Sequence, residues 1–481
     1  MRRGFRRALG LATLGGASLA VAIAACSFEA DNHPADAIDA GTVFDAAADA
    51  NIPPPEPCQV VPSATCVGNG ERLRACKTMG QLPEETVCDF GCIDTPTAHC
   101  QLIKPSGGAV TATDLDPNGP LAAMLAEKTF AATGATISFN TETGEIKNGN
   151  STLRAAGPGI VSGIDFQVRG AVGMFRFKKL TLEGTPLRGV GANALAMVSL
   201  TTIDMDSLAD LSLEGDCSGA SAGPGGGIGG AAQQAGQGSG AGLGGAANAG
   251  TCSGGGGGGY GEIGGNGGRN ANSGGPVSGA ATIPALVGGA GGGGGGGTTG
   301  GPGGGGGGAL QMVANDRIHL AGNFFSVSIN AGGCGGNAGP ANNCAGGGGA
   351  GGTVLLEASR VDLENSFIVA NGGGGGGASG GGNGGDGDTN QRARGGNGGD
   401  PTFNSGDRGG AGGDGGRGDP FSTNDTAGDG AEQDSRGGGG GGGAGRIRLN
   451  TKSGAAGQNN STLSPGPAES NATTIGTVNL Q

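Results

Sequence analysis

The chain has 481 residues, of which 119 are glycine, 3% are aromatic and none is tryptophan, with a net charge of −13. So acidic a chain is a poor partner for nucleic acid, because phosphate binding needs a basic surface. So much glycine, with so few large side chains, excludes an ordinary close-packed core over most of the length.

Residues 1–25 read as an export signal. Arg2, Arg3, Arg6 and Arg7 form a basic head, and Ala8 to Ala25 is an uncharged run rich in Ala, Leu and Val. It is too short and too weakly flanked for a lasting transmembrane helix. It ends in Ile23-Ala24-Ala25-Cys26, which resembles the bacterial lipobox. That resemblance implies cleavage before Cys26 and a lipid on its thiol, so the membrane lipid is the first expected partner. Ser27 after the cysteine points to the outer membrane or cell surface. Residues 26–57 form an acidic tether: Glu29, Asp31, Asp36, Asp39, Asp45, Asp49 and Glu56 occur without one Lys or Arg, before and around Pro53-Pro54-Pro55. One-sign charge and low hydrophobicity disfavour folding there.

Removing Cys26 leaves ten of eleven cysteines, an even number suited to an oxidising compartment. Cys58, Cys66, Cys76, Cys88, Cys92 and Cys100 define a small module over 58–104. It is too short to bury a sufficient core without cross-links. Export favours disulfides over a zinc site made of Cys88, Cys92, His99 and Cys100, and the spacing leaves the connectivity open.

Pro120 to Thr133 is the one segment that reads as a short helix. The rest of 105–481 alternates strand-like runs with glycine tracts. Ala194-Leu195-Ala196-Met197-Val198 matches Ala309-Leu310-Gln311-Met312-Val313, and each is followed by two further short strand patterns. A third copy starts at Thr353 and a fourth at Arg446. Three strands in a little over twenty residues is the size of one solenoid coil, and stacked coils lie about 4.8 Å apart. The expected fold is therefore all-β: a right-handed parallel β-solenoid with long glycine-rich inserts at about 216–308, 332–352 and 372–445, preceded by the disulfide-rich module. Leu195, Leu310 and Val354 should stack in one column. Treating each insert as a separate loop pairs Cys217 with Cys252 and Cys334 with Cys344.

Residues 222–250 read as flexible. The third insert is more regular: Gly-Gly-x-Gly-Gly-Asp recurs every 14 residues, ending at Asp386, Asp400 and Asp414, with Arg394, Arg408 and Arg436 closing three such units. Such tracts can pack side by side as three-residue-per-turn helices of polyproline II type. The three aspartates are the candidate Ca²⁺ ligands, although the apolar residue that follows Asp in calcium-binding toxin repeats is missing. Turning the chain or pairing with the arginines are their other roles. Arg417-Gly418-Asp419 is a chance match in so biased a composition.

The plan resembles glycine-rich cell-surface lipoproteins of myxobacteria and related bacteria, on Ile23-Ala24-Ala25-Cys26, the acidic tether, the six-cysteine module and glycine-rich coils such as 345–377. The tracts also have a compositional likeness to mycobacterial glycine-repeat proteins, whose partner domain is missing here. The resemblance implies a structural or adhesive surface role, with a surface polysaccharide or neighbouring envelope protein as partner, and brings no catalytic residue or cofactor. A polysaccharide lyase or hydrolase is the alternative, since parallel β-helices host such enzymes. Asp204 and Asp362 occupy equivalent places in two copies, with His319 in the copy between, but because they alternate with core residues they read as solvent-facing. The scarcity of Tyr and Trp argues against a sugar-binding groove.

Overall fold

In the computed structural model, residues 55–481 are described apart from 207, 249, 323–326, 388–392, 398–409, 417–426, 434 and 468–470. Cys26 and Asp400 therefore lie outside the described residues. The repeated runs form three columns of parallel strands. The first stacks Val172–Phe177, Ala194–Ser199, Ala309–Ala314, Thr353–Glu357, Arg446–Thr451 and Thr473–Thr477. The second runs from Lys179–Val190 through Thr202–Asp206, Arg317–Ala321 and Arg360–Glu364 to Gly457–Asn459. The third continues from the far half of Lys179–Val190 through Asp210–Ser212, Val327–Asn330 and Ser366–Val369 to Thr462–Ser464.

Register follows the pleat. Leu195 pairs with Leu310, Leu310 with Val354 and Val354 with Ile447, so the expected column is present. Ile203, Ile318 and Val361 form a second row, and Leu211, Ile329 and Ile368 a third. All ten of these residues are fully buried in one shared core. In the second and third columns a one-residue slip would turn these residues outward, which is why the apolar alternation there specifies the stacking.

The central strands of the first column, Ala194–Ser199, Ala309–Ala314 and Thr353–Glu357, are buried on both faces. Their outer side carries Ala194, Ala196, Val198, Ala309 and Val313, covered by Phe90, Ile103, Ala109, Val110 and Leu115 from the module and the segment after it. Double-sided burial explains why these strands read as near-continuous apolar runs. The cover is fastened by polar pins. Glu357, fully buried, accepts from Ser106 N–H, from Gln311 Nε2 at 2.8 Å and from Asn450 Nδ2 at 2.9 Å. Asp114 accepts from Arg169 Nη2 at 2.8 Å and Arg176 Nη1 at 3.0 Å, and Arg176 reaches Asp165 at 2.6 Å.

The segment from Pro120 is not helical. It makes a single 3-10 turn at Ala122–Met124 and then the strand Glu127–Asn140, parallel to Lys179–Val190, with Phe130 beside Leu182. Thr129, Phe130 and Ile137 suit a pleated surface, and tertiary pairing overrides the weak helical pattern. The module closes with Cys58–Cys76, Cys66–Cys92 and Cys88–Cys100. It is tied to the chain end where Ile103–Lys104 pairs with Asn479–Leu480.

Breaking the Asp114 cluster tests how the cover is held. Burial opposes the Asp114 charge, but hydrogen bonds from Arg169 and Thr111 outweigh it and hold the carboxyl below its ordinary value. A carboxyl lowered in the folded state contributes stability at pH above its unfolded value, and loses it as pH falls through the folded value. Asp114→Asn should therefore destabilise the protein by about 3 kcal/mol at neutral pH. It should also flatten the loss of melting temperature in acid below about pH 4, both readable by calorimetry.

Candidate functional site

The glycine tracts form a further wall beside the strand columns, linking the third-column strands Asp210–Ser212, Val327–Asn330 and Ser366–Val369 to the next first-column strands. In the second insert the chain leaves along 331–337 and returns along 346–352. Gly352 N–H donates to Ala331 O, Gly349 to Cys334 and Gly346 to Asn337. The three-residue step is the turn of a polyproline II helix, whose groups point outward in three directions. Water normally satisfies those groups; here neighbouring tracts do.

Segment 289–296 shows the packing at its fullest. Gly289, Gly292 and Gly295 donate to Gly307, Gly304 and Gly301, and accept from Gly227, Gly230 and Gln233. Gly291 and Gly294 donate to Gln237 and Gln234, and accept from Gly242 and Gly245. Gly293 and Gly296 donate to Gly256 and Ser253, and accept from Gly347 and Cys344. Six neighbouring segments thus surround one helix, and glycine is demanded by distance. A Cβ on Gly293 would lie 2.1 Å from Leu243 O, on Gly294 1.9 Å from Ala231 O, and on Gly295 2.2 Å from Cys344 O.

This arrangement corrects two expectations. Residues 222–250 are not a flexible loop: Gly227, Gly230, Gly242 and Gly245 are hydrogen-bonded parts of the bundle. The cysteines pair across coils, Cys217 with Cys334 and Cys252 with Cys344, instead of within each insert. The inserts of successive coils stack side by side, so the nearest thiol to each cysteine of the first insert belongs to the second. With Cα atoms 5.1 and 5.8 Å apart, these bridges staple the two layers.

The repeated acidic residues serve the bundle. Asp386 Oδ1 accepts Gly335 N–H at 2.8 Å, Asn383 Oδ1 accepts Ala338 N–H at 2.9 Å, and Asp414 Oδ1 accepts Gly395 N–H at 2.9 Å. Each side chain stands where a neighbouring tract leaves an amide without a carbonyl. Asp386 lies beside Cys217 and Cys334, the one group of three potential metal ligands among the described residues, but both sulfurs are committed to the disulfide. Arg436 Nη1 donates to Gly250 O at 2.6 Å, linking the third insert to the first. Tyr260 is buried, with its hydroxyl 2.9 Å from Thr353 Oγ1 and the Arg446 guanidinium 5.5 Å over its ring. Burial raises its phenol above the ordinary value, so it acts as a neutral hydrogen-bonding plug.

A second cluster lies on the outer face of the second column, where Asp204, His319 and Asp362 stand in one row. Asp204 is buried, not solvent-facing as expected: Lys179 Nζ and Arg317 Nη2 each approach it to 3.1 Å. Those two long side chains fold over it and exclude water. Arg360 Nε sits 2.7 Å from Asp362, and His319 Nε2 3.6 Å from Glu364. Asp206 is raised above the usual carboxylate value by burial and then by Asp204, against the attraction of His319, Arg317 and Lys179. The alternation of the strand anticipates this row. Glu357, Gln311 and Asn315 gave no such signal, because their partners come from the covering segment.

No protein-family model, curated protein or solved structure matches the chain. The five disulfides suit an extracytoplasmic protein. Among the described residues no helix is long and apolar enough to cross a membrane.

Two outcomes follow from the bundle. Gly294→Ala should cost about 3 kcal/mol or more, through overpacking against backbone that cannot yield. Gly219→Ala, where a Cβ meets nothing within 4 Å, should be close to neutral in the same denaturant titration. Peptide mapping without reduction should recover cross-links joining Cys217 to Cys334 and Cys252 to Cys344; a Cys217–Cys252 peptide would overturn the cross-coil stacking.

Proposed function

We propose that this chain is a lipid-anchored protein of the bacterial cell surface with a structural or adhesive role. The observation that supports it best is the glycine bundle, whose inserts join into one backbone-bonded wall stapled across coils by two disulfides. Such a wall offers regular surface at low side-chain cost, and repeated weak contacts gain strength when many copies share one membrane. The partner class is a surface polysaccharide or a neighbouring envelope protein. The described tracts within residues 375–436 interlock with all three inserts: Gly430 N–H donates to Asn266 O, Gly376 to Gly346 O and Gly413 to Gly439 O.

The polysaccharide-active alternative is favoured by one feature, the Asp204–His319–Asp362 row. On that reading Asp362→Asn should abolish release of soluble sugar from an acidic polysaccharide.

The surface role is tested in cells. Cys26→Ser should move the protein out of the membrane fraction. A strain lacking the chain should attach less to a polysaccharide-coated surface, and the wild-type chain, but not Cys26→Ser, should restore attachment. Unchanged attachment of the deletion strain would rule out adhesion, and a mature-size Cys26→Ser protein still held in the membrane fraction would rule out the lipid anchor.

A further inference from the structure

A cleft of about 670 Å³ lies where the disulfide module meets the solenoid. That volume is in the range of small-ligand sites, which favour the junction of two structural units. Its walls are of two kinds. Phe90, Leu102 and Leu200 are apolar; Asp89, Asp116 and Asp316 are acidic. Asp316 lies close enough to Asp89 that, after burial, its charge is the main influence raising the Asp89 carboxyl.

Two further observations point to an occupant. Asn315 lines the cleft and is only 8% exposed. Its Nδ2 donates to Leu115 O at 2.6 Å and Leu200 O at 3.0 Å, which fixes the amide, while Oδ1 has no partner among the described residues. A buried acceptor held in this way is costly unless a donor meets it. The second observation is an internal precedent. The ammonium of Lys452 lies 5.9 Å over the Phe90 ring and donates to the carbonyl of Asp89. This corner therefore already accepts an ammonium group by ring face and oxygen together.

We propose that this cleft binds a small ligand carrying a protonated primary amine on a partly apolar body. The amine would lie between Asp89 and Asp316, its remaining hydrogens directed to the Asn315 side, and the body against Leu102 and Leu200. A divalent cation fits less well, because the acidic oxygens here do not converge as a group of three within coordinating range.

The test is calorimetric titration of the full chain with hexylamine, with hexanol as the neutral match and Ca²⁺ as a separate titrant. Hexylamine should bind saturably at one site and hexanol should not. Asp316→Asn, at an exposed position, should weaken hexylamine about tenfold without moving the melting temperature, and Asp89→Asn should act in the same direction. Equal binding of hexanol, no saturable binding of hexylamine, an unchanged affinity in Asp316→Asn, or Ca²⁺ binding that displaces hexylamine would each overturn the proposal.

Discussion

Every buried peptide group must find a hydrogen-bond partner, and in the glycine tracts of this protein neighbouring helices provide them for one another. A polyproline II helix has no internal hydrogen bonds, so in isolation it depends on water. Removing that water is tolerable only if neighbours approach closely enough to replace it, and a single Cβ prevents that approach. Around Gly291–Gly295 the nearest carbonyl oxygens stand about 2 Å from where a Cβ would be. Each hydrogen bond adds only about 1 kcal/mol net, so the wall persists through number, through helices that satisfy their neighbours on all sides, and through attachment to the apolar coil core.

That attachment sets the division of labour. The strands supply hydrophobic burial through rows such as Leu195–Leu310–Val354 and Leu211–Ile329–Ile368. The glycine wall supplies extent without needing large side chains. Glycine loses more entropy on ordering than any other residue, and long inserts raise that cost. The Cys217–Cys334 and Cys252–Cys344 bridges span 117 and 92 residues and restrict the unfolded chain where it has most freedom. The small module, with its own three bridges, then covers the outer face of the first column, so the cleft at its margin arises from docking.

Function follows from the same constraint. In the bundle, some polar side chains stand where a neighbouring tract ends. Asp386 and Asp414 illustrate this, each completing an amide of another tract. The chemistry-bearing groups are instead concentrated on the strand flank around Asp204 and in the cleft around Asp89. On the proposed surface role, the wall and its two charged margins would be the contact face.

The sequence by itself determined the coil. Alternation at 202–206, 317–321 and 360–364 has only one register that buries its apolar set, and the matched runs at 194–198, 309–313 and 353–356 place one strand of each copy at the same point of the coil. The cysteine count likewise implied an oxidised chain. What only the tertiary structure decided were relations between segments distant in sequence. Glycine tracts carry no side-chain pattern, so nothing local states which tract is whose neighbour. For that reason the cross-coil disulfides, the order of 222–250 and the roles of Asp386 and Asp414 were not legible. The burial of Glu357 and Asn315 had the same cause: their partners, Ser106 and Leu115, lie 251 and 200 residues away and meet them only when the chain folds over the sheet.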